Sequence, residues 1–153
     1  MEFTTNSSIP SLESHKQFTT MGENNLIGNN ANLGDTKMAF LINNSWGKDD
    51  LEKATIALVV GNAAAGKGDA RVFLANAGVD IALKGKADDW QAEGYAPVQE
   101  LVDGFREKGG VVWVCKACAD AKGLAQEDLI EGAEIAGAGH TMGFLEAGGQ
   151  MLM

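Results

Sequence analysis

Short apolar runs recur along the chain from residue 37 onwards. Three of them have the length of a strand and carry few charged side chains, which is typical of strands buried on both faces of a sheet; they are residues 38–42, 70–75 and 111–114. A weaker run at residues 133–136 predicts a fourth strand, and residues 150–153 are predicted to form a terminal edge strand.

Helical patterns separate the predicted strands. Asp49 and Asp50 are suited to cap a helix over residues 51–65. After Pro97, apolar residues at helical spacing predict a second helix, namely Val98, Leu101, Val102 and Phe105. Shorter helices are expected at 117–122 and 141–147, with single helical turns at 79–83 and 127–130. This alternation predicts a layered α/β domain with a mainly parallel sheet, in which ligands bind beyond the carboxyl ends of the strands.

The first part of the chain differs from the rest in composition. Residues 1–36 are rich in Asn, Ser, Thr and Gly and show no apolar period. Such a segment cannot bury enough apolar surface to offset the entropy of ordering. We therefore predict a disordered polar tail over residues 1–36 and one folded domain over residues 37–153, since a chain of 153 residues has the size of a single domain.

Charge and hydropathy exclude two classes of partner. The formal net charge is −9, and an acidic surface repels the phosphate backbone of nucleic acids. No apolar run reaches the roughly 18 residues of a transmembrane helix. The chain also lacks the basic start and apolar segment of a secretory signal. We therefore expect a cytoplasmic protein with neither nucleic acid nor membrane as its direct partner.

A string at residues 61–68 matches the phosphate-binding pattern G-x-x-x-x-G-K. However, Gly68 stands where that loop needs a Ser or Thr hydroxyl to hold magnesium. The string also continues a predicted helix, whereas phosphates bind at the free N–H groups of a helix N-terminus. We predict that it marks the end of the helix, with Gly66 and Gly68 terminating it.

The two cysteines, Cys115 and Cys118, form one C-x-x-C motif after the third predicted strand. Cys115 precedes a predicted helix and Lys116 adds a positive charge, and both effects favour the nucleophilic thiolate. The alternatives are two buried apolar side chains or a metal site, which would need further ligands such as His140 from a second subunit. Thiol chemistry is favoured, and neither a metal nor a cofactor is predicted.

Three functions fit this motif. In a sulfur carrier, Cys115 accepts sulfur as a persulfide and passes it to an acceptor thiol, while Cys118 resolves or protects it. In a thiol–disulfide oxidoreductase, the pair cycles between dithiol and disulfide; thioredoxin-like motifs occur early in the fold, however, and no proline follows Pro97 to supply a later cis bond. In a non-enzymatic binding module, an oligomer presents the site and the cysteines are incidental.

Polar residues near the cysteines are candidates for substrate binding. Asn43 and Asn76 follow the first two predicted strands, so they are expected at the same sheet edge as Cys115. Lys116 joins them as a third candidate. Asparagine also stabilises turns for purely local reasons, which is the alternative interpretation of both asparagines.

Other polar and aromatic residues have structural interpretations. Trp90 and Tyr95 either cover the cysteine as a lid or pack their own loop, and packing is favoured. A capping or surface role is favoured for His140. The apolar end at residues 151–153 is expected to be buried in the sheet edge or in an oligomer contact.

Several segments of residues 37–153 resemble one known family. The most specific is Val114-Cys115-Lys116-Ala117-Cys118, which runs into Ala121-Lys122-Gly123-Leu124 and residues 128–133. Lys53-Ala54-Thr55 with the opening strand, residues 72–85 and Gly109-Gly110 add weaker similarity. Together they resemble the DsrE/DsrF-like family, which includes sulfur-relay subunits of tRNA thiolation and of dissimilatory sulfur oxidation.

The resemblance has consequences for fold, assembly and chemistry. It implies a three-layer α/β domain with a five-stranded parallel sheet and a homo-oligomer, either a trimer or a hexamer. It also implies that Cys115 accepts sulfur from a donor protein and passes it to an acceptor protein, as a sulfurtransferase acting with partners does. Cys118 matches a second cysteine that only some members have.

Overall fold

A computed structural model describes residues 37–153. The tail predicted over residues 1–36 lies outside the described residues. Five strands form a single sheet in the order β4-β3-β2-β1-β5, and all four strand pairs are parallel. The strands are β1 (Met38–Asn44), β2 (Gly68–Leu74), β3 (Val111–Cys115), β4 (Ala133–Ala136) and β5 (Gln150–Leu152). The predicted α/β fold with a five-stranded parallel sheet is therefore confirmed, and β5 is an edge strand as expected.

Four α-helices connect or flank these strands. They are α1 (Leu51–Ala65), α2 (Val98–Glu107), α3 (Lys116–Lys122) and α4 (Ala138–Glu146). Short 3-10 helices lie at Lys48–Asp50, Asn76–Ala82 and Gln126–Asp128. Pro97 is the N-terminal cap residue of α2. α4 begins three residues before the predicted position 141. The sequence shows no apolar pattern at the start of α4, because none of the residues in this helix is fully buried.

The string that resembles a phosphate-binding loop ends α1, as predicted. The helix continues through Ala65, and Gly66 forms its C-terminal cap. Gly68 does not terminate the helix, contrary to our prediction, because it is already the first residue of β2. It pairs with Met38 of β1, whose backbone lies where a side chain on residue 68 would stand. Glycine at this position therefore allows the two strands to pair from their first residues.

The start of α1 is held by a capping carboxylate. The Asp50 side chain accepts a hydrogen bond from the Lys53 backbone N–H at 3.1 Å, and the Lys53 ammonium lies 2.8 Å from the second carboxylate oxygen. Both contacts lower the pKa of Asp50 below its ordinary value of 3.8, and the contact with the ammonium has the larger effect. The same ammonium lies 4.1 Å from the ring centre of Trp46, which is 42% exposed.

One face of the sheet, here called the main face, carries the larger apolar cluster. Alternate residues of the strands point into it and pack against α1, α2 and α3, which is the period-two pattern of a pleated sheet. Its largest fully buried side chains include Phe105, Ile42, Leu58, Leu74, Val72, Val112 and Val114. Packing on this face therefore accounts for most of the apolar surface buried in the described domain.

The opposite face, here called the second face, has a smaller cluster. Leu41, Trp113 and Ala136 are buried there, and α4 contributes Phe144 and Leu145. The Trp113 indole N–H donates a hydrogen bond to Glu134 at 2.6 Å. The two clusters on opposite faces give the three layers that the family resemblance implies.

The outer surface of α4 is apolar and exposed. Gly139 and Gly143 have open space where a side chain would begin, and Met142 between them is 54% exposed. Met151 of β5 pairs with Leu41 and is 51% exposed at the edge of the same sheet. Glu146 is the one acidic or basic residue between positions 137 and 153, His140 aside. This surface therefore contrasts with the acidic character of the chain as a whole.

Candidate functional site

Cys115 lies at the carboxyl end of the central part of the sheet. It is the last residue of β3 and the N-terminal cap of α3. Its partner in the sheet register is Ala136, which belongs to the cluster of the second face, so strand alternation places Cys115 toward that face. The side chain is partly buried, and neither apolar cluster of the described residues includes it. It therefore lies outside the apolar packing, at the edge where parallel sheets bind ligands.

Cys118 has a different environment, although only two residues separate the cysteines. It lies in the first turn of α3 and packs against the cluster of the main face. Its sulfur accepts a hydrogen bond from the backbone N–H of Asn76 at 3.2 Å, and the side-chain oxygen of Asn76 lies 3.9 Å away. Both cysteines are free thiols in this structure. Both cysteines are partly buried, and Cys118 is the one that packs against the main cluster and accepts a hydrogen bond from Asn76.

The backbone at Asn76 is left-handed, with φ +46°. Asparagine tolerates this conformation better than most residues. The turn is held by a hydrogen bond from the N–H of Ala75 to the carbonyl of Asn44, at 3.0 Å. Gly78 follows at a position where a side chain would meet the carbonyls of Asn44 and Trp46. Close packing against the loop after β1 therefore holds the Asn76 N–H in its direction toward Cys118.

Sequence reasoning missed the asparagine that holds this loop. Asn44 is 1% exposed, and its side chain bonds both the N–H and the carbonyl of Trp46 at 3.0 Å. A signal was available, since strand alternation puts Asn44 on the same face as Phe40 and Ile42. A buried amide at the end of an apolar strand needs hydrogen-bond partners, which the following loop supplies.

The structure does not bring Asn43 to the cysteines. It is partly buried on the second face, in the register row of Phe73 and Trp113. Neighbouring strands lie about 4.8 Å apart, so β1 and β3 are separated by roughly 10 Å. Asn76 is adjacent to the site as expected, but its observed partner is the sulfur of Cys118.

The charge of Lys116 is already paired within α3. Its ammonium lies 2.8 Å from a carboxylate oxygen of Asp120, one helical turn further on, and both side chains are well exposed. At the other end of the helix, Lys122 lies 2.8 Å from Asp80. The second pair ties α3 to the 3-10 helix that begins at Asn76.

The aromatic and histidine residues near the sheet have structural roles. Trp90 is 3% exposed and packs in the main cluster, which agrees with the predicted packing role. The Tyr95 hydroxyl lies 3.5 Å from Glu52. His140 accepts the N–H of Gly137 through Nδ1 at 3.2 Å and so caps α4, as expected. Within residues 37–153, His, Cys, Asp and Glu form no group of three suited to a metal ion.

A cavity of about 490 Å³ lies beside the C-terminal end of α3. Its walls include Lys84, Lys86, Gly123 and Asp128, and neither cysteine lines it. In the described part of the chain, no helix is long and apolar enough to cross a membrane. The cysteine motif at the carboxyl end of β3 is therefore the feature with a definite chemistry: a free thiol close in sequence to a second, hydrogen-bonded thiol.

Comparisons with known proteins identify the family and the fold. The sequence model of the DsrE/DsrF-like family matches residues 37–153. An uncharacterised protein of Methanopyrus kandleri is 36% identical over 56% of the chain and 63% of its own length. An uncharacterised protein of Methanocaldococcus jannaschii is 34% identical over 48% of the chain and 27% of its own length. The chain thus spans less than two thirds of either relative.

A solved structure shares the fold. The YchN protein of E. coli superposes with a TM-score of 0.56 over 75% of this chain and 99% of its own. The sequence identity is 21%. At this identity the likeness shows a common arrangement of strands and helices, and it agrees with the parallel five-stranded sheet described above.

Proposed function

The chain belongs to the DsrE/DsrF-like family, and on that basis we propose that it is a sulfur carrier that holds sulfur as a persulfide on Cys115. The observation that supports this role is the position of Cys115, at the carboxyl end of β3 and outside both apolar clusters. A thiol in that position can meet the sulfur of another molecule without any rearrangement of the core.

The proposed transfer needs no external oxidant or reductant. The Cys115 thiolate attacks the outer sulfur of a donor persulfide, and the bond between the two donor sulfurs breaks. The donor leaves as a thiolate, and the outer sulfur is now bound to Cys115. An acceptor thiolate attacks the same outer sulfur in the next step, and Cys115 leaves as its own thiolate. Atoms and electrons balance in both steps.

This chemistry requires partner proteins that donate and accept sulfur, and we propose that the chain is a sulfurtransferase acting between them. We place it in the cytoplasm, where thiols stay reduced and a free cysteine pair such as Cys115 and Cys118 persists. Acidic chains repel one another, so we expect two copies of this chain to contact each other where their surfaces lack charge.

We also propose that the protein is a homo-oligomer, a trimer or a hexamer, that buries the outer surface of α4. That surface carries Met142 between two glycines, with Met151 at the edge of the same sheet face. Exposed apolar surface of this kind marks contacts between proteins. Since strand alternation places Cys115 on the same side of the sheet, its surroundings would include the assembly surface.

A transfer assay tests the carrier role. The purified protein is loaded with a low-molecular-weight persulfide, separated from the donor, and mixed with an acceptor thiol. We expect loading to add about 32 Da and the acceptor to take up that sulfur. Cys115→Ser should abolish both steps, whereas Cys118→Ala should retain them. Retention of loading in Cys115→Ser would contradict the proposal.

A second candidate is a thiol–disulfide oxidoreductase, and the hydrogen bond between the Asn76 N–H and the Cys118 sulfur favours it. A donor N–H beside a second thiol is useful whenever that thiol must act as a nucleophile. Dithiol cycling would be lost in both Cys115→Ser and Cys118→Ala. A mass loss of about 2 Da without any added sulfur would support this candidate over the carrier.

A further inference from the structure

We propose that Asn76 is a positioning residue that holds Cys118 ready to resolve a persulfide on Cys115. The inference rests on the carrier role proposed above and adds a residue and a reaction to it. Its basis is the contact between the two elements at the sheet edge: the backbone N–H of Asn76 lies 3.2 Å from the Cys118 sulfur.

The Asn76 N–H is a hydrogen-bond donor aimed at this sulfur. Hydrogen bonds to an ionised acceptor are about twice as strong as bonds between neutral groups. Cys118 also packs against the main cluster, so its sulfur has a defined position. A defined position and a donor together make Cys118 suited to attack a neighbouring sulfur atom.

The conformation of Asn76 is unusual in a way that serves this contact. Among the described residues, Asn76 and the terminal Met153 are the non-glycine residues with positive φ. Such backbone strain persists only where the surroundings impose it, and it concentrates at functional sites. Here the surroundings are the Ala75–Asn44 hydrogen bond and the close approach of Gly78 to the loop after β1.

The helix that carries Cys118 is fixed to the same segment at a second point. The Lys122 ammonium at the end of α3 lies 2.8 Å from Asp80, in the 3-10 helix that begins at Asn76. The two contacts lie at opposite ends of α3. They therefore hold both ends of α3 in a fixed position relative to the Asn76 N–H.

The resolving reaction uses only sulfur atoms already on the protein. The Cys118 thiolate attacks the inner sulfur of the Cys115 persulfide, and the bond to the outer sulfur breaks. The outer sulfur leaves as hydrosulfide with the bonding electron pair, and a disulfide joins Cys115 to Cys118. The Cys118 sulfur is oxidised and the outer sulfur is reduced, while the Cys115 sulfur exchanges one sulfur–sulfur bond for another. Cys115 is the N-cap of α3 and Cys118 is its third residue, so less than one helical turn separates them along the chain. The disulfide requires their Cα atoms to lie within about 7 Å of each other.

Asn76→Asp is the most informative variant. It preserves the size of the side chain, the backbone N–H and the tolerance of positive φ, and it places a carboxylate where an oxygen now lies 3.9 Å from the sulfur. Two like charges about 4 Å apart in water repel by about 1 kcal/mol. We therefore expect hydrosulfide release from the loaded protein to slow about fivefold in a single turnover, with a matching delay in the disulfide.

Two controls separate positioning from a general loss of structure. Asn76→Gly retains the N–H and adopts positive φ freely, so its release rate should stay within about twofold of the original. Asn76→Val disfavours positive φ and should slow release at least as much as Asn76→Asp. Transfer from Cys115 to an added acceptor thiol does not involve Cys118, so it should be unchanged in all three variants.

Distinct results would overturn the two proposals. Release at the original rate in Asn76→Val would contradict the positioning role of Asn76, as would an equal loss of release and acceptor transfer. Failure of the original protein to take up any sulfur would instead contradict the carrier role itself. Loading without any hydrosulfide release would leave the carrier role intact and refute the resolving reaction.

Discussion

The two faces of the sheet are covered unequally, and the two cysteines pack differently against them. The main face packs against α1, α2 and α3, whereas α4 is the helix that contributes to the cluster of the second face in the described residues. Cys118 belongs to the heavily packed side, and strand alternation directs Cys115 to the thinly covered one. Two residues close in sequence therefore differ in packing and in hydrogen bonding. This difference supports separate roles for the two thiols, with Cys115 carrying sulfur and Cys118 resolving the persulfide.

The largest expected effect concerns packing. Phe105→Ala removes a fully buried ring from the main face and should lower the free energy of unfolding by about 3–5 kcal/mol. Phe144→Ala removes a partly buried ring from the second face and should cost about 1–2 kcal/mol. Chemical denaturation of both variants measures the contrast. Equal losses would mean that the two faces contribute alike to stability.

A second prediction concerns the uncovered surface of α4. Met142→Glu places a charge on the apolar surface and should raise the dissociation constant of the oligomer by at least about tenfold, or 1.4 kcal/mol. Val59→Glu is the matched control, because Val59 is 43% exposed on α1. Sedimentation equilibrium over a concentration series measures both. A monomeric original protein, or equal weakening by the two variants, would contradict an interface at α4.

A smaller effect is expected in the accessibility of the two thiols. A bulky maleimide should modify Cys115 about fivefold faster than Cys118, because reagent access is limited where a side chain packs against the core. Peptide mass mapping after brief exposure measures the two rates in the same sample. Faster modification of Cys118 would reverse the assignment of the accessible thiol.

The smallest effect concerns the N-terminal cap of α1, a helix of the main face. The lowered pKa of Asp50 means that its charged form is favoured in the folded state. The stabilisation is therefore present above the ordinary pKa of 3.8 and is lost as the pH falls through the lower folded value. Asp50→Asn should reduce stability slightly near neutral pH, and the difference from the original protein should vanish in acid. A difference that persists in acid would exclude the carboxylate charge as its source.

The sequence predicted the fold well because its signals were local. Apolar runs located the strands, and the stripe at Val98, Leu101, Val102 and Phe105 located α2. The start of α4 was missed because its first turn is capped by the His140 ring and has no apolar period. Gly68 was assigned to the end of a helix because its partner in β1 lies far away in the sequence.

The site was predicted only in part, since its contacts depend on packing between distant segments. The C-x-x-C motif and its position after β3 were visible in the sequence, and so was the placement of Asn76 nearby. The direction of the Asn76 N–H depends on the loop after β1, which no local pattern reveals. Lys116 was predicted to favour the Cys115 thiolate and to bind substrate. In the structure its ionic partner is Asp120, one turn further along α3.

The location of added sulfur tests the central claim most directly. The original protein is exposed to a persulfide donor, its thiols are blocked, and peptides containing each cysteine are separated and weighed. The account predicts a gain of about 32 Da on Cys115, followed over time by loss of that sulfur and formation of the Cys115–Cys118 disulfide. A stable gain on Cys118 alone, or a disulfide without any prior gain on Cys115, would contradict the account.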